Sequence, residues 1–338
     1  MNGRDTLKFY GFRDEVFDFD GAVSVEITSE YAAPWRIDYH ERELYPVLKD
    51  GVGKYGAGIR LCFETDSCVI GFRLSELEEA VLIDLMVNGE YKKTIEITEI
   101  ETIIDGFAPN HKRIELWLPQ NKQLKFAGIL VEESSSIQKC GKRKKRWVHY
   151  GSSISQSNAA ASPSRGWAGL TAERYQLSLT NLGFSGECVF DPMIGRQIRE
   201  LEADYITLKL GINTYGGLLT KRMFSPCVIG LIKTIREKHK KTPLVIISPI
   251  YCKDRETKPG ASGLSLEMMR DLLQETVKQF QEYGDAHIYY INGLDLLDER
   301  YNDYLPDGLH PNAEGQYIIA DNFSKYIFEG ILGVKNIS

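Results

Sequence analysis

The 338-residue chain has six cysteines (Cys62, Cys68, Cys140, Cys188, Cys227 and Cys252) but no CxxC pair among them. They read as free thiols in a reducing compartment, with a Cys62–Cys68 disulfide as the open alternative. No run of about 18 apolar residues exists, so no transmembrane helix and no membrane partner are expected. The first stretch, MNGRDTLKFYGFRDEVFDFDG, has no apolar h-region. No secretory signal is read there, and the expected compartment is cytoplasmic. Positive charge is not in excess. The formal net charge of -6 gives no reason to expect nucleic acid as a partner. Internal repeats and low-complexity tracts are missing. So is a phosphate loop, since GLLTKR and KPGASG lack the pattern. His40, His111, His239 and His287 have no cysteine or carboxylate at ligand spacing, so neither a metal nor a cofactor is expected.

What is present is the composition of a globular protein, 43% apolar and 26% charged, in a chain long enough to bury a large core. Its two halves differ in texture. Residues 1–138 hold short β-branched runs between polar turns: GAGIRLCFET, SCVIGFRLS, AVLIDLMVNG, EYKKTIEITE, KRIELWLP and KFAGILVEE. Asn88-Gly89 marks a hairpin, because both residues tolerate positive φ. This half is expected to be an antiparallel β-sandwich of jelly-roll type. Trp35, Tyr39 and Trp117 read there as core residues, with sugar stacking as the alternative.

Residues 139–146, KCGKRKKR, read as a solvated basic linker. A nuclear-localisation or nucleic-acid motif is the weaker reading. From residue 147 to 338 apolar strands (WVHYG, LSLTNLG, DYITLKLG, PLVIISPI, HIYYING) alternate with helical stretches near 166–176, 193–202, 221–239, 264–283 and 312–329. Alternation of this kind means βαβ crossovers and a parallel sheet covered on both faces. Ligands of such sheets bind at the carboxyl ends of the strands. There the sequence places Ser152-Ser153, Gly186, Asn213, and Asp307 with His310. A serine, an amide, a backbone N–H and an Asp-x-x-His are the parts of an acyl-transfer site.

In Gly151-Ser152-Ser153-Ile154, Gly186, Gly211-Ile212-Asn213 and Asp307-Gly308-Leu309-His310-Pro311 the C-terminal half resembles the SGNH, or GDSL, hydrolase family. The resemblance implies a flavodoxin-like three-layer α/β/α domain. It implies Ser153 as nucleophile, His310 as base and Asp307 as its orienting partner. It implies an oxyanion hole from the Ser153 and Gly186 backbone and the Asn213 side chain. Ser152 departs from the family, which usually has Asp there; that changes the hydrogen bonding of the nucleophile turn and leaves the triad intact. The bland readings are a helix cap for Ser153, a helix-initiating turn for Asp307–Pro311, a tight turn for Gly186 and an Asx turn for Asn213. Several motifs in the right order favour chemistry.

His149 precedes the strand end and reads as a packed histidine. Asn158, Trp167, Tyr215 and Tyr251 are candidate substrate contacts, because they leave strand ends. The polar stretch SPIYCKDRETKPGASG is read as a lid or specificity loop, with an ordinary solvent loop as its rival. The sandwich plus hydrolase arrangement is similar to two-domain carbohydrate esterases and to SGNH acyltransferases that decorate polyketides. The leading expectation is a serine esterase removing a small acyl group, such as acetyl, from a hydroxylated metabolite or carbohydrate. An acyltransferase with an alcohol acceptor is the near alternative, and a non-catalytic carbohydrate-binding protein the distant one.

Overall fold

The Asn88-Gly89 hairpin forms as its residues demand. Both have positive φ, 54° and 83°, between the strands Val81–Val87 and Glu90–Ile97. The computed structural model describes residues 6–141, 143 and 145–336. Its N-terminal half is two six-stranded antiparallel sheets packed face to face. Alternation puts Leu61, Phe63, Ile70, Phe72, Ile83, Leu85, Ile114, Leu116, Ile129 and Val131 into the core between them. All six strand runs named above form. The strands Leu7–Gly11, Asp18–Asp20, Ser24–Ile27, Ala32–Trp35, Glu101–Asp105 and Ile137–Gln138 form as well. They are short or of mixed polarity and lack a clear period-two signal.

One of these sheets is buried on much of its outer face as well. In the strands Arg60–Thr65, Val81–Val87 and Lys112–Trp117, the residues facing away from the sandwich core include Arg60, Asp84, Glu115 and Trp117, and each is fully buried. They lie against the C-terminal half. Trp35, Tyr45 and Leu48 likewise join the hydrophobic cluster of that half. Trp35 and Trp117 are thus core residues, and Tyr39 packs on Trp35.

The C-terminal half has one parallel sheet. Its strands are Lys145–Gly151, Leu177–Gly183, Tyr205–Lys209, Leu244–Ile247 and Ile288–Ile291. In space they run second, first, third, fourth, fifth, so the order reverses at Lys145–Gly151. A crevice opens at the carboxyl end of such a strand. The helices Trp167–Arg174, Pro192–Glu200, Lys221–Arg236, Leu266–Glu282 and Ala313–Phe323 cover the two faces, and a π-helical turn, Ser324–Ile331, extends the last. No helix among the described residues is long and apolar enough to cross a membrane.

The basic run differs from the solvated linker expected. Lys145 and Arg146 already belong to the first parallel strand and pair with Asp204 and Glu202. The Arg143 side chain is 6% exposed and is shared between Glu115 and Glu173. Buried carboxylates at the seam recruit it inward. Lys142 and Lys144 lie outside the described residues. All six cysteines are free, which removes the Cys62–Cys68 bridge.

Candidate active site

The strand Lys145–Gly151 runs straight into a four-residue helix, Ser153–Gln156. Ser152, fully buried, caps it: its Oγ accepts from the Ile154 N–H at 3.4 Å. Gly151 has no room for a Cβ, which would strike Ser155 and the His149 ring. The tight turn leaves Ser153 half-buried at the crevice, with its Oγ 2.8 Å from His310 Nε2.

His310 and Asp307 share one turn before the helix Ala313–Phe323, and Gly308, with φ 75°, closes it. Asp307 Oδ2 lies 2.6 Å from His310 Nδ1, and Oδ1 accepts from the Leu309 and His310 amides at 2.9 and 2.7 Å. Partial burial pushes the Asp307 carboxyl up, but the His310 amide and ring and the Leu309 amide outweigh it and hold the carboxyl at about 2. A carboxylate can only accept. Nδ1 therefore carries the proton, and Nε2 is left to accept from the Ser153 hydroxyl.

Two further expected groups lie in loops near this strand end. Asn213 sits in a turn after Gly211, whose φ is 115°. Its Oδ1 accepts from the Cys188 N–H at 3.0 Å, which orients the amide. Gly186 is exposed at φ 80° in the loop after Leu177–Gly183. That loop is tied to the nucleophile strand by Phe184 N–H to Gly151 O at 2.8 Å, and to the short helix by Ser185 N–H to Gln156 Oε1 at 3.0 Å. A cleft of about 300 Å³ lies between residues 157–159 and the Asp307–Pro311 turn, with Ser153 at its base.

Of the proposed substrate contacts, Asn158 lines this cleft and three do not. Trp167 is fully buried; its Nε1–H donates to Ile154 O at 2.9 Å and its ring packs on His149 and Phe323. A large aromatic on the inner face of its helix goes to the core, so it props the nucleophile helix from below. Tyr251 is 9% exposed, in the apolar cluster of Ile250, Leu296 and Leu297. The Tyr215 hydroxyl donates to Lys258 O at 3.2 Å, and its ring lies under Arg255. It anchors the polar stretch, which a Glu256–Arg270 ion pair also holds down. His149 is packed, bonded to Thr207 and Ser155; burial, with Lys209 nearby, lowers it to about 3. Among the described residues no group of three or more His, Cys, Asp or Glu could hold a metal ion.

The sandwich supplies a residue that the sequence reading missed. Arg36, fully buried, crosses the seam: Nη1 donates to the Asn181 and Gly183 carbonyls at the end of the strand leading to Gly186. Nε and Nη2 donate to Tyr55 O and Val52 O, and the guanidinium stacks on Phe184. Burial lowers it to about 9. At a second place Arg60 meets Asp20, Glu173 and the Leu177 carbonyl.

Residues 144–328 match the GDSL-like lipase/acylhydrolase family, and residues 17–127 match the N-terminal domain of SsfX3. No curated protein matches in sequence. Among solved structures, the chain is similar to a salicylyl-acyltransferase, SsfX3, from a tetracycline biosynthetic pathway. The identity is 29%, the coverage 97% of this chain and 99% of that one, and the TM-score 0.90. An acetyl xylan esterase from the rumen bacterium Butyrivibrio proteoclasticus shares the fold at 13% identity, covering 97% and 99%, with a TM-score of 0.65. So does a family two carbohydrate esterase from Clostridium thermocellum in complex with cellohexaose, at 14% identity, covering 83% and 94%, with a TM-score of 0.64. With its parallel sheet, its serine at the strand-order reversal and a family match over more than half its length, this chain belongs to the GDSL-like lipase/acylhydrolase family.

Proposed function

We propose that the protein is a serine esterase that takes a small acyl group from a hydroxylated compound through an acyl-Ser153 intermediate. The observation that carries this reading is the unbroken line Ser153 Oγ–His310 Nε2, His310 Nδ1–Asp307 Oδ2, at 2.8 and 2.6 Å. Ser153 Oγ attacks the ester carbonyl while its proton passes to His310 Nε2, and Asp307 stabilises the imidazolium. The carbonyl oxygen gains negative charge and meets the Ser153 and Gly186 amides and the Asn213 side chain. His310 returns the proton to the departing alcohol. Water, deprotonated by the same nitrogen, then frees the acid and the serine. Access for that water supports hydrolysis: the Asp307 side chain is 54% exposed and His310 35%.

A second reading, an acyltransferase using an alcohol in place of water, is favoured by the likeness to the salicylyl-acyltransferase. The test is p-nitrophenyl acetate turnover with and without hydroxylated acceptors, with products identified by mass spectrometry. Acetate as the main product with every acceptor is the expected result. Acylated alcohol as the main product at millimolar acceptor would establish the transferase.

A further inference from the structure

The departing alcohol must receive its proton from His310 Nε2, and an incoming acceptor must give one to it. The alcohol therefore lies on the His310 flank of Ser153. The cleft beside Ser153 and His310 is also lined by Ser157, Asn158 and Ala159. Local bonds, Gln156 Nε2 to Asn158 Oδ1 at 3.1 Å and Ser157 Oγ to Ile154 O at 3.2 Å, hold these residues in part, and the sandwich adds more. Ser157, with φ 63°, ends the nucleophile helix, and its carbonyl accepts from the Gln120 side chain of the sandwich at 3.4 Å. Further along, Ser162 and Ser164 converge on Asp84, a sandwich residue that is fully buried. Asp84 Oδ2 accepts from Ser162 Oγ at 2.8 Å, Ser164 N–H at 2.7 Å and Ser164 Oγ at 2.6 Å. Its Oδ1 accepts from Thr94 Oγ1 at 2.6 Å. Four donors satisfy the buried carboxylate, and none of them is a cation. Arg165, next in the chain, stacks on Tyr91 of the sandwich.

We propose that Asp84 is a positioning residue that fixes the wall of the alcohol subsite. The proposal rests on the acyl-serine reading above. Besides the triad, the cleft is lined by the apolar Ile154, Ala159 and Pro311 and by Ser157, Asn158, Ser185 and Gln316, with no lysine or arginine. Ser157 Oγ is taken up by Ile154 O, and the Gln316 amide by the Trp167 N–H and Pro311 O, so Asn158 and Ser185 are the polar groups left to meet the alcohol, and an anionic alcohol finds no lysine or arginine there. The sandwich thus contributes to selectivity without touching the substrate.

The test is Asp84→Asn, which keeps the shape but turns an N–H toward the Ser164 donors. Two acetyl esters with different alcohols, methyl acetate and 1-naphthyl acetate, are compared. KM for the naphthyl ester should rise about fivefold or more with kcat within about twofold, and methyl acetate should change by less than about twofold in both. Hydrogen exchange of residues 157–166 should quicken about tenfold while the strand Lys145–Gly151 is unchanged. Ser164→Ala should show the same split at smaller size, and it decides the matter if Asp84→Asn does not fold. Equal losses on both esters, or exchange unchanged across 157–166, would overturn the proposal. If the wild-type protein cleaves neither ester, the acyl-serine reading fails instead, and the exchange result alone decides whether Asp84 holds the wall.

Discussion

The catalytic crevice and the seam between the halves are both built from polar side chains, under opposite conditions. In the crevice, Asp307 and His310 are partly open to water and few contacts hold them. At the seam, Arg36, Arg60, Asp84 and Glu115 are fully buried, and each meets several partners. Groups that move protons need freedom and water access. Groups that fix loops need neither. The difference teaches that chemistry and shape are assigned to separate halves of one chain, and substitutions can separate them.

The largest expected effect is in the crevice. Ser153→Ala and His310→Ala should each lower kcat by about 10⁴-fold or more, and the double variant should be little worse, because the groups act as a unit. Their melting temperatures should stay near that of the wild type; additive losses by steady-state kinetics would break the contrast. At the seam the reverse is expected. Arg36→Leu takes a donor from four carbonyls, two of them buried, and should destabilise the protein by about 3–5 kcal/mol in urea unfolding. A neutral result there would make the seam dispensable, and residues 139–338 expressed alone should then fold and turn over normally.

Asn213→Ala should lower kcat by about 10²–10³ with little change in stability, the usual loss for one oxyanion donor. The smallest effect concerns Lys209, buried at the end of its strand; burial lowers it to about 8. Below that pH the folded state confines a charge. As pH rises from about 8 toward 10.5, the unfolded chain holds more protons and wild-type stability gains, by roughly 3 kcal/mol at most. Lys209→Met lacks this gain. Its stability advantage at pH 7 should shrink by pH 10 in paired denaturant titrations, and an advantage that is constant with pH would refute the assignment.

How far the sequence could be read follows the same division. Gly151-Ser152-Ser153 and Asp307–His310 were legible because each unit is local: a strand end, a turn and a few adjacent residues specify it. The parallel strands and their helices were legible from apolar runs of the right length. Trp167 and Tyr251 were misread because position after a strand does not say which way a side chain faces, and each turns to an apolar cluster. Arg36 and Asp84 gave no signal. Each is a lone charge in or beside a strand whose partners across the seam lie 78 to 147 residues away along the chain. The burial of Arg60 and Glu115 depends on docking of the second half, which a strand's own sequence does not show.

The two arginines of the seam are neutralised in different ways, and acid would tell them apart. Arg36 rests on carbonyl dipoles, which do not titrate. Arg60 rests on carboxylates, among them Glu115, which burial pushes up but Arg60, Arg143 and Arg113 hold well below the ordinary range. Glu115 contributes fully above about pH 4.5, and its share is lost as pH falls toward its depressed value, leaving the buried Arg60 with less counter-charge. Acid would therefore weaken the Arg60 contacts selectively and leave the Arg36 contacts, beside the loop of Gly186, as they are.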